Sequence, residues 1–140
     1  MRIALAAALA LASTAALAQP PRPGGNVVTH VETVRDLAAI CDPPWGGMPR
    51  FEAIAYCQGF LTAASQYHTM LHPAGGPVRP LYCLPRPGPT IAESGVDFAR
   101  WAQASPRFAG EPALDGFLRW AQARYPCPAP RSGRGARMSR

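Results

Sequence analysis

The sequence predicts a small all-α domain of four helices, stapled by two disulfides and preceded by a cleavable signal peptide. Three observations carry that reading: an apolar export leader, four cysteines in the chain that follows it, and four apolar stripes at helical spacing, each bounded by a cap or a proline.

The leader begins Met1-Arg2-Ile3, runs through small and mostly apolar residues from Ala4 to Leu17, and closes on Ala16-Leu17-Ala18 before Gln19-Pro20. A short positive start, a brief apolar run and small residues at the end are what signal peptidase reads, so cleavage is expected after Ala18. The run is too short to span about 30 Å of hydrocarbon. No comparable stretch follows, and no cysteine stands at the cleavage point to take a lipid. The expected organisation is a signal peptide over 1–18, a Pro/Gly-rich leader over 19–32, a helical domain over 33–128 and a disordered basic tail over 129–140. The mature chain is expected to be exported to the periplasm without a membrane segment.

Cys41, Cys57, Cys83 and Cys127 make an even set. In an oxidising compartment that count predicts two disulfides, and the count alone leaves three connectivities open. A mature chain of this length builds only a modest core, so covalent staples matter most at this size.

The first helix starts at Thr33, an N-cap with Asp36 in the first turn, and presents Val34, Leu37, Ala38 and Ile40 before ending near Cys41. Asp42-Pro43-Pro44-Trp45-Gly46-Gly47 breaks it, because two prolines and two glycines impose fixed and unusual backbone angles. Pro49 suits the first position of a second helix running to about His72, where Pro73, Gly75, Gly76 and Pro77 stop it. At about 100° per residue, Ile54, Cys57, Phe60, Leu61, Ala64, His68 and Leu71 share a core-facing side. Gly59 and Ala63 lie on a flank where another helix could approach closely.

Leu81 to Pro89 holds Cys83 among three prolines and reads as an extended loop. Thr90 with Glu93 forms a capping box that opens the third helix, which carries Ile91, Phe98, Trp101 and Ala102 and stops at Ser105-Pro106. The fourth helix runs from about Pro112 to Tyr125 with Leu114, Phe117, Leu118, Ala121 and Tyr125 on its apolar side, ended by Pro126-Cys127-Pro128. The two share a local pattern, Phe98-Ala99-Arg100-Trp101-Ala102-Gln103-Ala104 against Phe117-Leu118-Arg119-Trp120-Ala121-Gln122-Ala123. They are expected to form a helical hairpin. An antiparallel hairpin sets the start of the third helix beside the end of the fourth, which brings Cys83 to Cys127 and leaves Cys41 for Cys57.

Residues that carry chemistry are sparse. His68 and His72 have the spacing of two metal ligands on one helix, but Thr69 stands where a zinc protease needs its general-base Glu, and a third ligand would have to come from His30 or a free thiol. Ser94-Gly95 lies inside a helix and lacks the Gly-flanked elbow of a nucleophile. Eight acidic residues are scattered along the chain without a paired arrangement. Gly75-Gly76 is followed by Pro77, which removes an amide where a phosphate loop needs one. Neither an enzyme, a metal nor a cofactor is expected.

Binding is the remaining reading. Tryptophan, tyrosine and arginine dominate protein interfaces when exposed, which makes Trp45, Tyr67, Arg100 and Arg119 the partner-binding candidates. Trp101 and Trp120 sit near the apolar sides of their helices and read as core. The net charge of +6 comes from 14 basic residues, all arginine, against 8 acidic ones. Arg131, Arg134, Arg137 and Arg140 concentrate part of it in the tail. Nucleic acid is not expected as a partner of an exported chain.

Taken in order, Asp36-Leu37-Ala38-Ala39-Ile40-Cys41, Tyr56-Cys57-Gln58-Gly59-Phe60-Leu61, Tyr82-Cys83-Leu84-Pro85, Val96 to Trp101, Ser105-Pro106 and Tyr125-Pro126-Cys127 resemble the Tai and resistance-associated immunity proteins. These are small periplasmic helical proteins that protect bacteria against peptidoglycan-cutting amidases delivered by type VI secretion. The resemblance covers roughly residues 33–128. Ala63 departs from it, standing where similar sequences often place a second glycine, and so does the arginine tail. The resemblance implies a binding protein without chemistry of its own that occludes the catalytic cleft of an effector toxin, such as an amidase. A general periplasmic helical chaperone or envelope-stress module without a cognate toxin is the alternative expectation, and a second copy of the chain is a further partner to test for.

Overall fold

A computed structural model describes residues 30–73 and 75–129 of the chain. The expected signal peptide, most of the leader and the arginine tail lie outside the described residues. Within them the order is α1 (Val34–Cys41), α2 (Gly47–Leu71), α3 (Ile91–Ala104), a 3-10 turn η1 (Pro106–Phe108) and α4 (Ala113–Arg124). There are four α-helices and no named strand among the described residues, and two disulfides join Cys41 to Cys57 and Cys83 to Cys127.

Local chemistry sets the helix starts. Thr33 Oγ1 accepts from the Asp36 amide while the Asp36 carboxylate accepts from the Thr33 amide and hydroxyl at 2.9 and 2.7 Å. Thr90 and Glu93 repeat the arrangement at α3. Each box satisfies amides that the first helical turn leaves without partners. α2 begins at Gly47, two residues before the expected Pro49. Gly47 adopts φ +70, which favours glycine, and Pro49 then falls in the first turn, where a missing N–H costs nothing.

α1 packs against all three other helices and buries Val34, Leu37 and Ile40 completely. It lies tight against α4, where a Cβ at Gly116 would overlap Val34 Cγ2. At Gly95 of α3 a Cβ would stand 3.1 Å from Cys57 Sγ, so this glycine lets α3 lie against the Cys41–Cys57 disulfide. Short backbone pairing closes the ring of contacts, with Val34 N–H donating to Glu111 O at 2.9 Å and Ala113 N–H to Glu32 O at 2.8 Å. Packing therefore extends outward to Val31, which lies against the core.

α3 and α4 are antiparallel, as Asp97 near the middle of α3 accepts from Trp120 Nε1 at 3.2 Å and Arg124 Nε at 3.1 Å in the last turns of α4. Cys83 N–H donates to Tyr125 O at 2.8 Å beside the second disulfide. Two apolar stripes differ from the sequence reading. In α4 the buried side is Ala113, Gly116, Phe117, Trp120 and Ala121, while Leu114 is exposed, because the close approach at Gly116 turns that side of the helix toward α1. In α2 the buried residues are Ala53, Cys57, Leu61 and His68. Leu71, the last residue of α2, is 49% exposed because none of the described residues beyond the helix end covers it, and Ile54, Phe60 and Ala64 are only half-buried.

Candidate functional site

The long helix α2 carries two different apolar sides. Its inner side is fixed by the Cys41–Cys57 disulfide and by Leu61, which is completely buried. Its outer side presents Tyr56, Gly59, Ala63, Tyr67 and Met70, at steps of three and four residues that align them into one stripe. Tyr56 is 46%, Tyr67 54% and Met70 66% exposed. Around Gly59 a Cβ would meet nothing within 4 Å, so the small-residue flank that the sequence offers to another helix packs on none of the described residues.

The end of α2 is held by a stack of rings. His72 lies over His68 at 4.6 Å, and His68 lies over Tyr82 at 4.0 Å. The Leu81 N–H donates to His68 Nε2 at 3.1 Å, which fixes His68 as the neutral tautomer with its proton on Nδ1. Burial, and His72 beside it, hold His68 below the usual imidazole value. His72 Nδ1 in turn bonds the His68 carbonyl at 3.0 Å. The pair that reads as a metal-ligand spacing is therefore turned face to face, with the His68 lone pair already used, and His30 pairs with Glu32 at 3.0 Å. No group of three His, Cys, Asp or Glu converges among the described residues.

The other displaced titrations follow from structural bonds. Asp36 is lowered chiefly by the Thr33 hydroxyl, and Glu93 chiefly by the Thr90 amide, as the capping boxes require. Burial raises Tyr125.

The four binding candidates fall on separate elements. Tyr67 lies in the exposed stripe of α2. Trp45 is half-buried against the core, and its indole N–H is sealed from solvent without an acceptor among the described residues. The Arg50 guanidinium donates to the carbonyls of Pro43 and Trp45 and fastens that loop to α2, so Trp45 offers a partner only part of its ring. Arg119 pairs with Glu111 at 3.2 Å and lies over the Phe108 ring at 4.5 Å, and Arg107 lies over the same ring at 4.6 Å. Arg100 is exposed and lines a groove with Glu93, Asp97 and Arg124. Trp120 is a core residue, and Trp101 is half-buried and stacked on Phe108 at 5.7 Å.

Sequence reasoning missed the outer stripe as a surface because apolar residues occupy both sides of α2, so no single direction stands out. It also missed Tyr82, which is buried in a proline-rich loop where no periodicity marks it.

Both disulfides suit an oxidising compartment, and no helix among the described residues is long and apolar enough to cross a membrane. Comparison of the chain with family models, curated proteins and solved structures found no match.

Proposed function

We propose that this chain is a periplasmic, non-catalytic binding protein of the immunity type, which neutralises a peptidoglycan-cutting effector by covering its active site. The observation that supports the reading most is the exposed stripe Tyr56, Gly59, Ala63, Tyr67 and Met70 on α2. Aromatic and methionine side chains around small residues give a partner large contact area and close backbone approach. Tyrosine adds contact area at low entropic cost, because only two side-chain torsions need ordering. The resemblance to the immunity proteins supplies the class of partner, and the two staples keep the stripe on a rigid support, which reduces the ordering cost of association.

Co-purification of the exported chain with the products of neighbouring genes, followed by a test of protection against any periplasm-directed toxin so found, tests this. One stoichiometric toxin partner and protection are expected. No partner and no protection would contradict it, and capture of many unfolded clients would favour a general periplasmic chaperone.

A further inference from the structure

The two disulfides sit in opposite surroundings. Cys41 and Cys57 are 5% and 2% exposed, and a Cβ at Gly95 would stand 3.1 Å from Cys57 Sγ and 3.8 Å from Cys41 Sγ, so α3 covers the bond. Cys83 and Cys127 are only half-buried, and they join the proline-rich loop to the segment after α4, outside every helix. The charge around them differs too. From Pro73 to Ala92 the chain carries Arg79 and Arg86 and no acidic residue, and none stands between Tyr125 and Ala129. The Arg79 guanidinium donates to the Pro128 carbonyl at 3.0 Å, which holds a positive charge one residue beyond Cys127.

Thiol–disulfide exchange needs access for an incoming sulfur, and it is favoured where a cation stabilises the thiolate that leaves. From this we infer that Cys83–Cys127 is a reversible redox site open to dithiol reductants, whereas Cys41–Cys57 is a purely structural bond. In the exchange, a thiolate of the dithiol attacks one sulfur of the pair, the Cys83–Cys127 bond breaks, and its electron pair leaves on the other sulfur as a thiolate. Arg79 stabilises that thiolate where Cys127 is the leaving side. The second thiol of the reagent then displaces the mixed disulfide. The chain gains two electrons and two protons, and the dithiol becomes a disulfide. Reversibility is built into the backbone. Cys83 N–H donates to Tyr125 O at 2.8 Å, which with the Arg79 bond to Pro128 flanks Cys127 in sequence, and Tyr82 is anchored in the core between His68 and Phe117. None of these contacts uses the sulfurs, so the freed thiols stay side by side at high effective concentration and close again when an oxidant returns. The site is separate from the outer stripe of α2 and stands whether or not the immunity reading holds.

The test treats the full chain, both disulfides formed, with dithiothreitol under native conditions, blocks new thiols with iodoacetamide at timed intervals and locates them by peptide mass mapping. Cys83 and Cys127 are expected to be blocked together, while Cys41 and Cys57 react at least about 10-fold more slowly, because reaching them requires the core to open. Helical circular dichroism should persist with only the second pair reduced, and glutathione disulfide should restore that pair in the unblocked sample. Arg79→Gln is expected to slow reduction of Cys83–Cys127 about 2-fold or more with an unchanged spectrum. Equal rates for the two disulfides, earlier reduction of Cys41–Cys57, or loss of the helical signal along with the first thiols would overturn the proposal. Failure of the pair to re-form would overturn its reversibility, and an Arg79→Gln rate equal to wild type would overturn the role given to that charge.

Discussion

The two sides of α2 are made of similar residues and do different work. On the inner side, Ala53, Cys57, Leu61 and His68 are all buried; Cys57 is bonded to Cys41 and overlaid by Gly95, and His68 accepts from the Leu81 amide. On the outer side, Tyr56, Gly59, Ala63, Tyr67 and Met70 lie open. Apolar character alone therefore does not separate residues that hold this fold together from residues free to hold something else. Burial separates them, reinforced at Cys57 by a covalent partner and at His68 by a polar one. Substitutions on the inner side should cost stability, and substitutions on the outer side should cost binding alone.

The largest effect is expected from breaking the staple. Replacing Cys41 and Cys57 together by alanine releases a 16-residue loop, worth about 3 kcal/mol in the chain-entropy model. Chemical denaturation should show at least that loss, because the buried sulfurs also fill space under Gly95. Leu61→Ala comes next. Leu61 is fully buried, and truncation of such a side chain costs about 2–5 kcal/mol. Thermal unfolding of Leu61→Ala beside Tyr67→Ala would sharpen the contrast, with Tyr67→Ala expected within about 0.5 kcal/mol of wild type.

A smaller effect should appear with pH. His68 is held neutral in the fold, below its ordinary value of 6.5. Protonation would place a second donor at Nε2 against the Leu81 N–H and add charge beside His72. At pH values between the lowered folded pKa and 6.5, the unfolded chain binds more protons at this site than the folded one. The stability contribution is thus fully present above the unfolded value and is lost as pH falls below it. Denaturation midpoints measured across that range should fall on acidification, and His68→Phe should remove part of the slope. A slope unchanged in His68→Phe would assign it to other groups.

Much of the fold is legible in the sequence because its signals are local. Thr33 with Asp36 and Thr90 with Glu93 lie three residues apart and satisfy each other's helix starts, and Pro106 and Pro126 mark the stops of α3 and α4. The antiparallel hairpin pairs Cys83 with Cys127, and elimination leaves Cys41 for Cys57, as the structure has them. What the sequence hides is non-local. Gly95 and Gly116 look like weak points in helices until Cys57 and Val34 are seen against them. Leu71 and Leu114 fit the apolar stripes by spacing, yet each stands outside the area its neighbours cover. Of the candidate binding residues, Tyr67 and Arg100 are open, whereas Arg119 is shared with Glu111 and Phe108 and Trp45 is half-buried.

The smallest expected effect on stability carries the functional claim. Ala63→Glu places a charge in the centre of the outer stripe, on an exposed helical position where replacement should change stability by no more than about 0.5 kcal/mol. The decisive measurement is the dissociation constant of the wild-type chain and of Ala63→Glu for the toxin that co-purifies with the exported protein. Tight 1:1 binding by wild type, weakened at least about 100-fold in Ala63→Glu, about the 2–3 kcal/mol of an interface hot spot, is the predicted result. Equal affinity of the two chains would contradict the placement of the partner on α2.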